Sequence, residues 1–254
     1  QELRETAVYN GIIQAVALGA TTLGEIASRA MIDSQKASVY LRNLIELGII
    51  EREFSVDTSI KEFSKGGRGL YRVADNFFRF WYAFVFPNKS DLEMLDIEGV
   101  YRFDVEPELT RFASITFENI CQAWLRRQNR EGRLSARFEQ IGRFWNKDTE
   151  IDVMGLSKVV GNRPKGAIKL FGKCKFGNDP VGIKVLHDLD AKIERFGAEQ
   201  QSERYLFSRA GFTPALEEAG SEDPALHLIP LSLLYQPIDG KGQIYKQNNQ
   251  DQRR

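Results

Sequence analysis

Cysteine and histidine are scarce. The 254 residues contain two of each, Cys121, Cys174, His187 and His227. Four such residues, scattered, make no zinc spacing, and no Cys/His or Ser/His/Asp nucleophile arrangement can be argued from them. Both cysteines lie in apolar periodic segments, which points to reduced thiols in a cytoplasmic setting rather than to a disulfide framework. Long apolar runs are lacking too. The most apolar stretch, Phe80 to Pro87, is far too short to span a bilayer, so no membrane partner is expected. No signal peptide opens the chain. Gln1 is not an initiator and the chain starts directly in a helical pattern, which reads as a fragment whose N-terminal part is missing. Charge of one sign is not in excess: 35 Lys+Arg stand against 35 Asp+Glu, so a nucleic-acid surface must be local. Nor is there a G-x-x-x-x-G-K-[ST] phosphate loop. Gly66-Gly67-Arg68-Gly69 lacks the lysine and hydroxyl at the required places, so ATP is not expected to bind to this chain.

The chain is long enough for two modest domains. From Glu2 to Leu18, Ala7, Ile12, Ile13, Ala15 and Val16 recur at helical spacing. Thr22 and Glu25 form a capping box for a short helix that buries Leu23, Ile26 and Ala27. Ser34 or Asp33 caps a third helix, Gln35 to Leu47, with Ala37, Val39, Tyr40, Leu41, Leu44 and Leu47 inward and Gly48 as its stop. Ile49–Val56 and Leu70–Val73 read as two strands around the loop 57–69. Three helices and a hairpin is the winged-helix order, with the helix-turn-helix pair at 23–30 and 35–47. The third helix offers Gln35, Lys36, Ser38, Arg42 and Asn43 as exposed polar groups, and the wing adds Lys61, Lys65 and Arg68. These can reach bases and phosphates. Glu46, Glu51, Glu53 and Glu62 dilute the charge, and packing against another domain stays open. The predicted units are a winged helix over 1–74, an aromatic helical connector over 75–112, an α/β domain over 113–236 and a polar, disordered tail over 237–254.

After Asp75 or Asn76 as cap comes Phe-Phe-Arg-Phe-Trp-Tyr-Ala-Phe-Val-Phe, ending before Pro87. It is apolar nearly all round and is expected to be buried between layers. Residues 89–112 read as connecting helices, and Phe112–Gln128 as an amphipathic helix carrying Glu118 among apolar neighbours. Arg126, Arg127, Arg130, Arg133 and Arg137 crowd the following loop, which is either a phosphate contact or a solvated linker. Strands are expected at 138–145, 150–156, 167–176, 204–208 and 226–230. Helices follow at 181–196, after Thr213 with Pro214 at N1, and at 231–235. Alternation places Glu150 and Asp152 on one face, and Lys173 and Lys175 on one face of the next strand. Two acids facing two lysines is either a metal-dependent phosphodiester site or a neutralised charge ladder.

The Glu150-Ile-Asp152 and Gly172-Lys-Cys-Lys175 segments resemble the core of the PD-(D/E)XK, restriction-endonuclease-like superfamily. There an Asp and a Glu hold Mg²⁺ and a lysine orients the attacking water. The resemblance matches Asp152 to the Asp and Lys175 to the lysine, but Lys173 stands at the second carboxylate. "YRVADNFFRFWYAFVFPN" at 71–88, with Phe117-Glu118 and Cys121 after it, resembles the C-terminal region of the archaeal and bacterial DEXX-box ATPase family over about residues 9–233. That resemblance implies an α+β fold: an N-terminal winged helix, a helical connector, and a restriction-endonuclease-like domain with a central mixed sheet. It also places ATP on a missing N-terminal P-loop domain.

Three functions follow. The first is a DNA-interacting and regulatory module with an inactive nuclease-like domain, serving its own ATPase domain or a partner protein. DNA contact is assigned to Lys36, Ser38, Arg42, Lys65 and Arg68, and no cofactor or metal is expected. The second is a Mg²⁺-dependent endonuclease using Asp152 with Glu150 or Glu118 and Lys175. The third is a protein–protein scaffold without DNA affinity.

Overall fold

The computed structural model describes residues 2–59, 62, 69–157, 168–196 and 202–235. The chain divides into two compact units, 1–116 and 117–254. It has mixed α and β content, with a two-stranded sheet in the first unit and a five-stranded sheet in the second. The polar tail lies outside the described residues, as does most of the loop after residue 59, including Lys61, Lys65 and Arg68.

The first unit opens with α1 (Glu2–Ala17), α2 (Leu23–Arg29) and α3 (Ser34–Glu46). Thr22 and Glu25 close the expected capping box: Thr22 Oγ1 accepts from the Glu25 N–H at 3.3 Å and Glu25 Oε2 accepts from the Thr22 N–H at 3.0 Å. Asp33 caps α3 by accepting from the Lys36 N–H at 2.7 Å. Gly48 ends it with φ +70°, a left-handed conformation that a side chain disfavours. Strands β1 (Ile50–Glu53) and β2 (Leu70–Val73) pair antiparallel, Ile50 opposite Val73. The Tyr71 N–H donates to Thr21 O at 2.8 Å and ties β2 to the α1–α2 turn.

Ile12, Ile26, Leu41, Leu44 and Ile50 form the heart of this core. Each fully buried aliphatic side chain contributes roughly 1.5–3 kcal/mol. Two expected members of the core are not in it. Val39 is 52% exposed and Leu47 69% exposed. Ala37, Leu41 and Leu44 already form the buried stripe at i, i+4 and i+7, and Val39, two residues from Ala37, falls on the opposite face.

Helix α4 (Asn76–Phe80) is capped by Asp75, whose Oδ1 accepts from the Phe77 and Phe78 N–H groups. It passes into a π turn, Trp81–Val85. The expectation of burial all round is corrected here. Arg79, Ala83 and Phe84 are buried, whereas Phe77 is 69% exposed and Phe78 and Trp81 also face out. After α5 (Lys89–Glu93) and α6 (Ile97–Val100), a second π turn, Tyr101–Val105, leads straight into α7 (Glu106–Arg130). Helix α7 therefore begins six residues before the expected Phe112. In both π turns the closing bond skips one residue: Phe86 N–H to Trp81 O, and Glu106 N–H to Tyr101 O. In both a proline follows at once, Pro87 or Pro107. A proline removes a helix donor and crowds the carbonyl four residues back, and the wider turn makes room for it.

In the second unit, residues 117–130 of α7 cover one face of a sheet ordered β3-β4-β5-β6-β7. Strands β3 (Gln140–Trp145), β4 (Glu150–Leu156) and β5 (Ile168–Lys175) pair antiparallel. β6 (Glu203–Ser208) and β7 (Leu226–Pro230) add in parallel after the crossover helices α8 (Ile183–Glu194) and α9 (Pro214–Glu222). A short helical turn, α10 (Leu231–Leu234), follows β7. Phe117, Cys121, Trp124 and Leu125 of α7 join Val153, Leu170, Cys174 and Phe207 of the sheet in one core. Gly155 makes room for the Phe138 ring over β4: a Cβ there would lie 2.8 Å from Phe138 Cδ1.

The arginine run is not the loop expected. Arg126, Arg127 and Arg130 lie at the end of α7. Arg126 Nε donates to Ile141 O at 2.8 Å, and Arg127 and Arg133 pair with Glu131 at 3.2 and 3.1 Å. The helix continues because nothing in 126–130 breaks it, and its last turn favours cations.

Candidate functional site

The site begins with an irregularity. Between Gly142 and Phe144 the register of β3 on β4 shifts: Gly142 pairs with Met154, and Phe144 with Ile151, so Arg143 lies opposite the Asp152–Val153 step. A bulge of this kind bends the strand and breaks strict alternation. The expectation that Glu150 and Asp152 stand together is corrected by it. Glu150 is exposed at the strand entrance, and its Oε1 accepts from Arg143 Nε at 2.9 Å and from Arg143 Nη2. Lys192 Nζ donates to the Glu150 carbonyl at 3.0 Å.

Asp152 is 1% exposed. A carboxylate this deep must be paired and hydrogen-bonded, and both of its oxygens are engaged. Lys173 Nζ donates to Oδ1 at 2.8 Å, and the Cys174 N–H, just past the last β4–β5 pair at Val153 and Gly172, donates to Oδ2 at 2.8 Å. Gln122 Nε2 on α7 donates to the Asp152 carbonyl at 3.0 Å, and Gln122 Oε1 accepts from Arg126 Nη2 at 3.0 Å. Through Arg126 this network reaches β3 at Ile141 O. Burial alone would lower the Lys173 ammonium, but the Asp152 carboxylate, its hydrogen bond and the charge of Glu118 outweigh burial and hold it above the usual lysine range.

Glu118 is half-buried on α7, and its charge is felt at both Lys173 and Cys174. Lys175 is exposed at the end of β5, opposite Ser208 of β6, and its side chain has no ion pair among the described residues. The fold thus brings together Asp152, Lys173 and Glu118, and leaves Glu150 and Lys175 outside that cluster. Sequence reasoning missed Gln122, and it took Arg126 for a phosphate contact or part of a solvated linker rather than for a link from Gln122 to β3. An Arg four residues after a Gln on the sheet-facing stripe of an amphipathic helix was the available signal.

Two features near the cluster bear on its chemistry. The buried thiols of Cys121 and Cys174 touch across the helix–sheet core. Burial, then the contact with Cys121, then Asp152 and Glu118 push the Cys174 thiol well above its usual range, which makes it a poor nucleophile. Among the described residues no three or more His, Cys, Asp or Glu side chains converge as a metal-holding group.

In the first unit, Lys36 and Arg42 are exposed on α3, Ser38 is half-buried, and Gln35 is exposed beside them. Asn43 is turned inward, its Nδ2 donating to the Tyr9 hydroxyl at 2.8 Å. Lys65 and Arg68 lie outside the described residues.

Comparison with known proteins gives one family model, archaeal and bacterial proteins of unknown function (DUF234), which matches residues 81–185. An uncharacterized protein of Methanocaldococcus jannaschii is 31% identical over 205 residues, which is 80% of this chain and 44% of that protein. The chain thus spans less than half the length of this curated relative. Among solved structures, an O-methyltransferase of neocarzinostatin biosynthesis bound to S-adenosyl-L-homocysteine is similar at 14% identity and a TM-score of 0.22, covering 91% of this chain and 67% of that one. Human N-acetylserotonin methyltransferase with S-adenosylmethionine is similar at 10% identity and a TM-score of 0.21, covering 90% and 62%. Scores this low do not establish a common fold. Among the described residues no helix is long and apolar enough to cross a membrane.

Proposed function

We propose that this chain is a DNA-contacting, regulatory module in which a winged helix is joined to a restriction-endonuclease-like domain that does not cut. The observation that carries the non-catalytic half is Lys173 Nζ on Asp152 Oδ1 at 2.8 Å. Nuclease chemistry on this scaffold needs a second carboxylate beside the first, so that a divalent cation can bridge them. Here an ammonium takes that place. At ~4 Å and an effective dielectric near 20, an acid–lysine pair interacts by roughly 4 kcal/mol before desolvation. The residues around Asp152 therefore do not fit a divalent cation. The helix–β–β–β–helix–β order of the second unit supports the nuclease-like reading.

The DNA half rests on α3. Its outer surface presents Gln35, Lys36 and Arg42, and the exposed Val39 stands among them. Cations suit phosphates, the amide suits a base edge, and an apolar side chain suits a thymine methyl. The hairpin after α3 supports the winged-helix assignment. ATP hydrolysis is assigned to a separate domain of the DEXX-box ATPase type. The matched stretch is less than half of the archaeal relative, which leaves that protein the length for one.

Fluorescence anisotropy with duplex DNA tests this reading. Weak affinity is expected, with log K falling against log salt at about 0.9 per phosphate contact. The double reversal Lys36→Glu and Arg42→Glu should abolish binding and leave stability within ~0.5 kcal/mol, as for exposed sites in general. Unchanged affinity in the double reversal would mean that α3 faces protein, and no affinity at low salt in the parent chain would leave the scaffold reading.

A further inference from the structure

Arg79 stands apart from both sites above. It is 7% exposed, yet it forms no ion pair among the described residues. Its Nη2 donates to Phe112 O at 2.7 Å and to Thr116 Oγ1 at 3.0 Å, and the guanidinium carbon lies 4.0 Å over the Phe112 ring. Its Nε has no hydrogen-bond partner among the described residues. A carbonyl, a hydroxyl and a ring face supply dipoles but no counter-charge. A buried guanidinium usually has a carboxylate or phosphate opposite it.

Arg79 lines a cavity of about 80 Å³ whose walls include Leu18, Ala83, Phe84, Phe112 and Ile115. The two other charged groups at this cavity, Glu108 and Arg111, are paired with each other at 2.6 Å and leave the Arg79 charge uncompensated. Burial first, and then the like charge of Arg72, lower the proton affinity of Arg79. An anion in the cavity would offset both. The space is too large for one water and suits a molecule of about four to six non-hydrogen atoms.

We infer that this cavity is a binding site for a small monocarboxylate with a short apolar tail, held through its carboxylate by Arg79. A carboxylate can accept from Arg79 Nε, which has no partner among the described residues, and lay its tail against the Leu18, Ala83, Phe84 and Ile115 walls. A phosphate would press further charged oxygens against the same apolar walls.

Isobutyrate is the probe, with isobutyramide as its neutral isostere and inorganic phosphate as the tail-less anion. Thermal shift and calorimetry on the full chain should show saturable isobutyrate binding at millimolar concentration. Isobutyramide should bind about 10- to 100-fold more weakly, the loss that follows from removing a charge-assisted pair. Ala83→Leu fills the space while keeping Arg79 and its partners, and should abolish the isobutyrate response. Arg79→Lys should weaken it without removing the charge. Equal binding of acid and amide, binding undiminished in Ala83→Leu, a response to phosphate alone, or no response to isobutyrate would each overturn the inference. The last is the result expected if water alone satisfies Nε.

Discussion

Asp152→Ala is expected to destabilise the second unit by about 3–5 kcal/mol, the loss typical when one member of a buried ion pair is removed. The substitution strands the Lys173 ammonium, whose side chain is 27% exposed, and the Cys174 N–H, both of which now point at a methyl group. Asp152→Asn keeps an acceptor for the amide and removes only the charge, so it should fall between Ala and the parent. Replacing both partners, as in Asp152→Leu with Lys173→Met, should recover most of the loss, because two apolar side chains leave no unpaired charge. Urea unfolding reads all three. A double replacement as unstable as Asp152→Ala would show that the damage comes from lost packing. The pair also sets a pH dependence. Lys173 is raised in the folded state, so its contribution is fully present below its unfolded value near 10.5 and is lost as pH rises through the higher folded value. Parent stability should therefore fall on the alkaline side, and the double replacement should lack that component.

Lys173→Glu is the second large effect, and it addresses the function directly. It removes the ammonium from Asp152 Oδ1 and sets a second carboxylate there, changing the local charge by two. Without metal, the loss should match or exceed that of Asp152→Ala, since like charges are now buried together. With Mn²⁺, the rebuilt Asp/Glu pair should bind the cation, and at a metal concentration of ~100 Kd stability should return by about 2.7 kcal/mol. Calorimetry with Mn²⁺ and a plasmid-nicking assay distinguish the outcomes. The parent chain should neither bind Mn²⁺ at Asp152 nor nick plasmid. Asp152-dependent nicking by the parent would overturn the non-catalytic reading and promote Glu118 to ligand, since Glu150 is held by Arg143. Failure of Lys173→Glu to bind metal would mean that the backbone around the bulge, and not charge alone, has departed from a nuclease geometry.

Several features of this protein were legible residue by residue. Thr22 with Glu25, Asp33, Asp75 and Pro214 mark helix starts because capping uses the residue's own side chain or ring within one turn. The five strands of the second unit were visible as short apolar runs between turn residues. The sequence set two acids of one strand, Glu150 and Asp152, against two lysines of the next, Lys173 and Lys175, and of these the structure pairs Asp152 with Lys173.

What failed to show in the sequence depends on neighbours that no local window contains. Val39 and Leu47 look like core residues, but Ala37, Leu41 and Leu44 had already taken the one buried face of α3, and Leu47 stands past the end of that helix, beside the left-handed Gly48. The outward Phe77, Phe78 and Trp81 belong to a stretch too apolar to reveal which side is covered. The helix from Glu106 survives Pro107 through a π turn whose existence depends on a single relocated hydrogen bond. The candidate site was decided in the same way. Alternation alone would have put Glu150 with Asp152, but one extra residue in β4 gave Glu150 to Arg143 and left Asp152 to Lys173 and the Cys174 amide. The amino-acid sequence determined the side-chain caps that mark several helix starts and which charges could meet, because those follow from neighbours one turn or one pleat away. The tertiary structure decided which charges do meet and which apolar faces are covered, because burial and register are properties of packed layers and not of the segment that carries the residue.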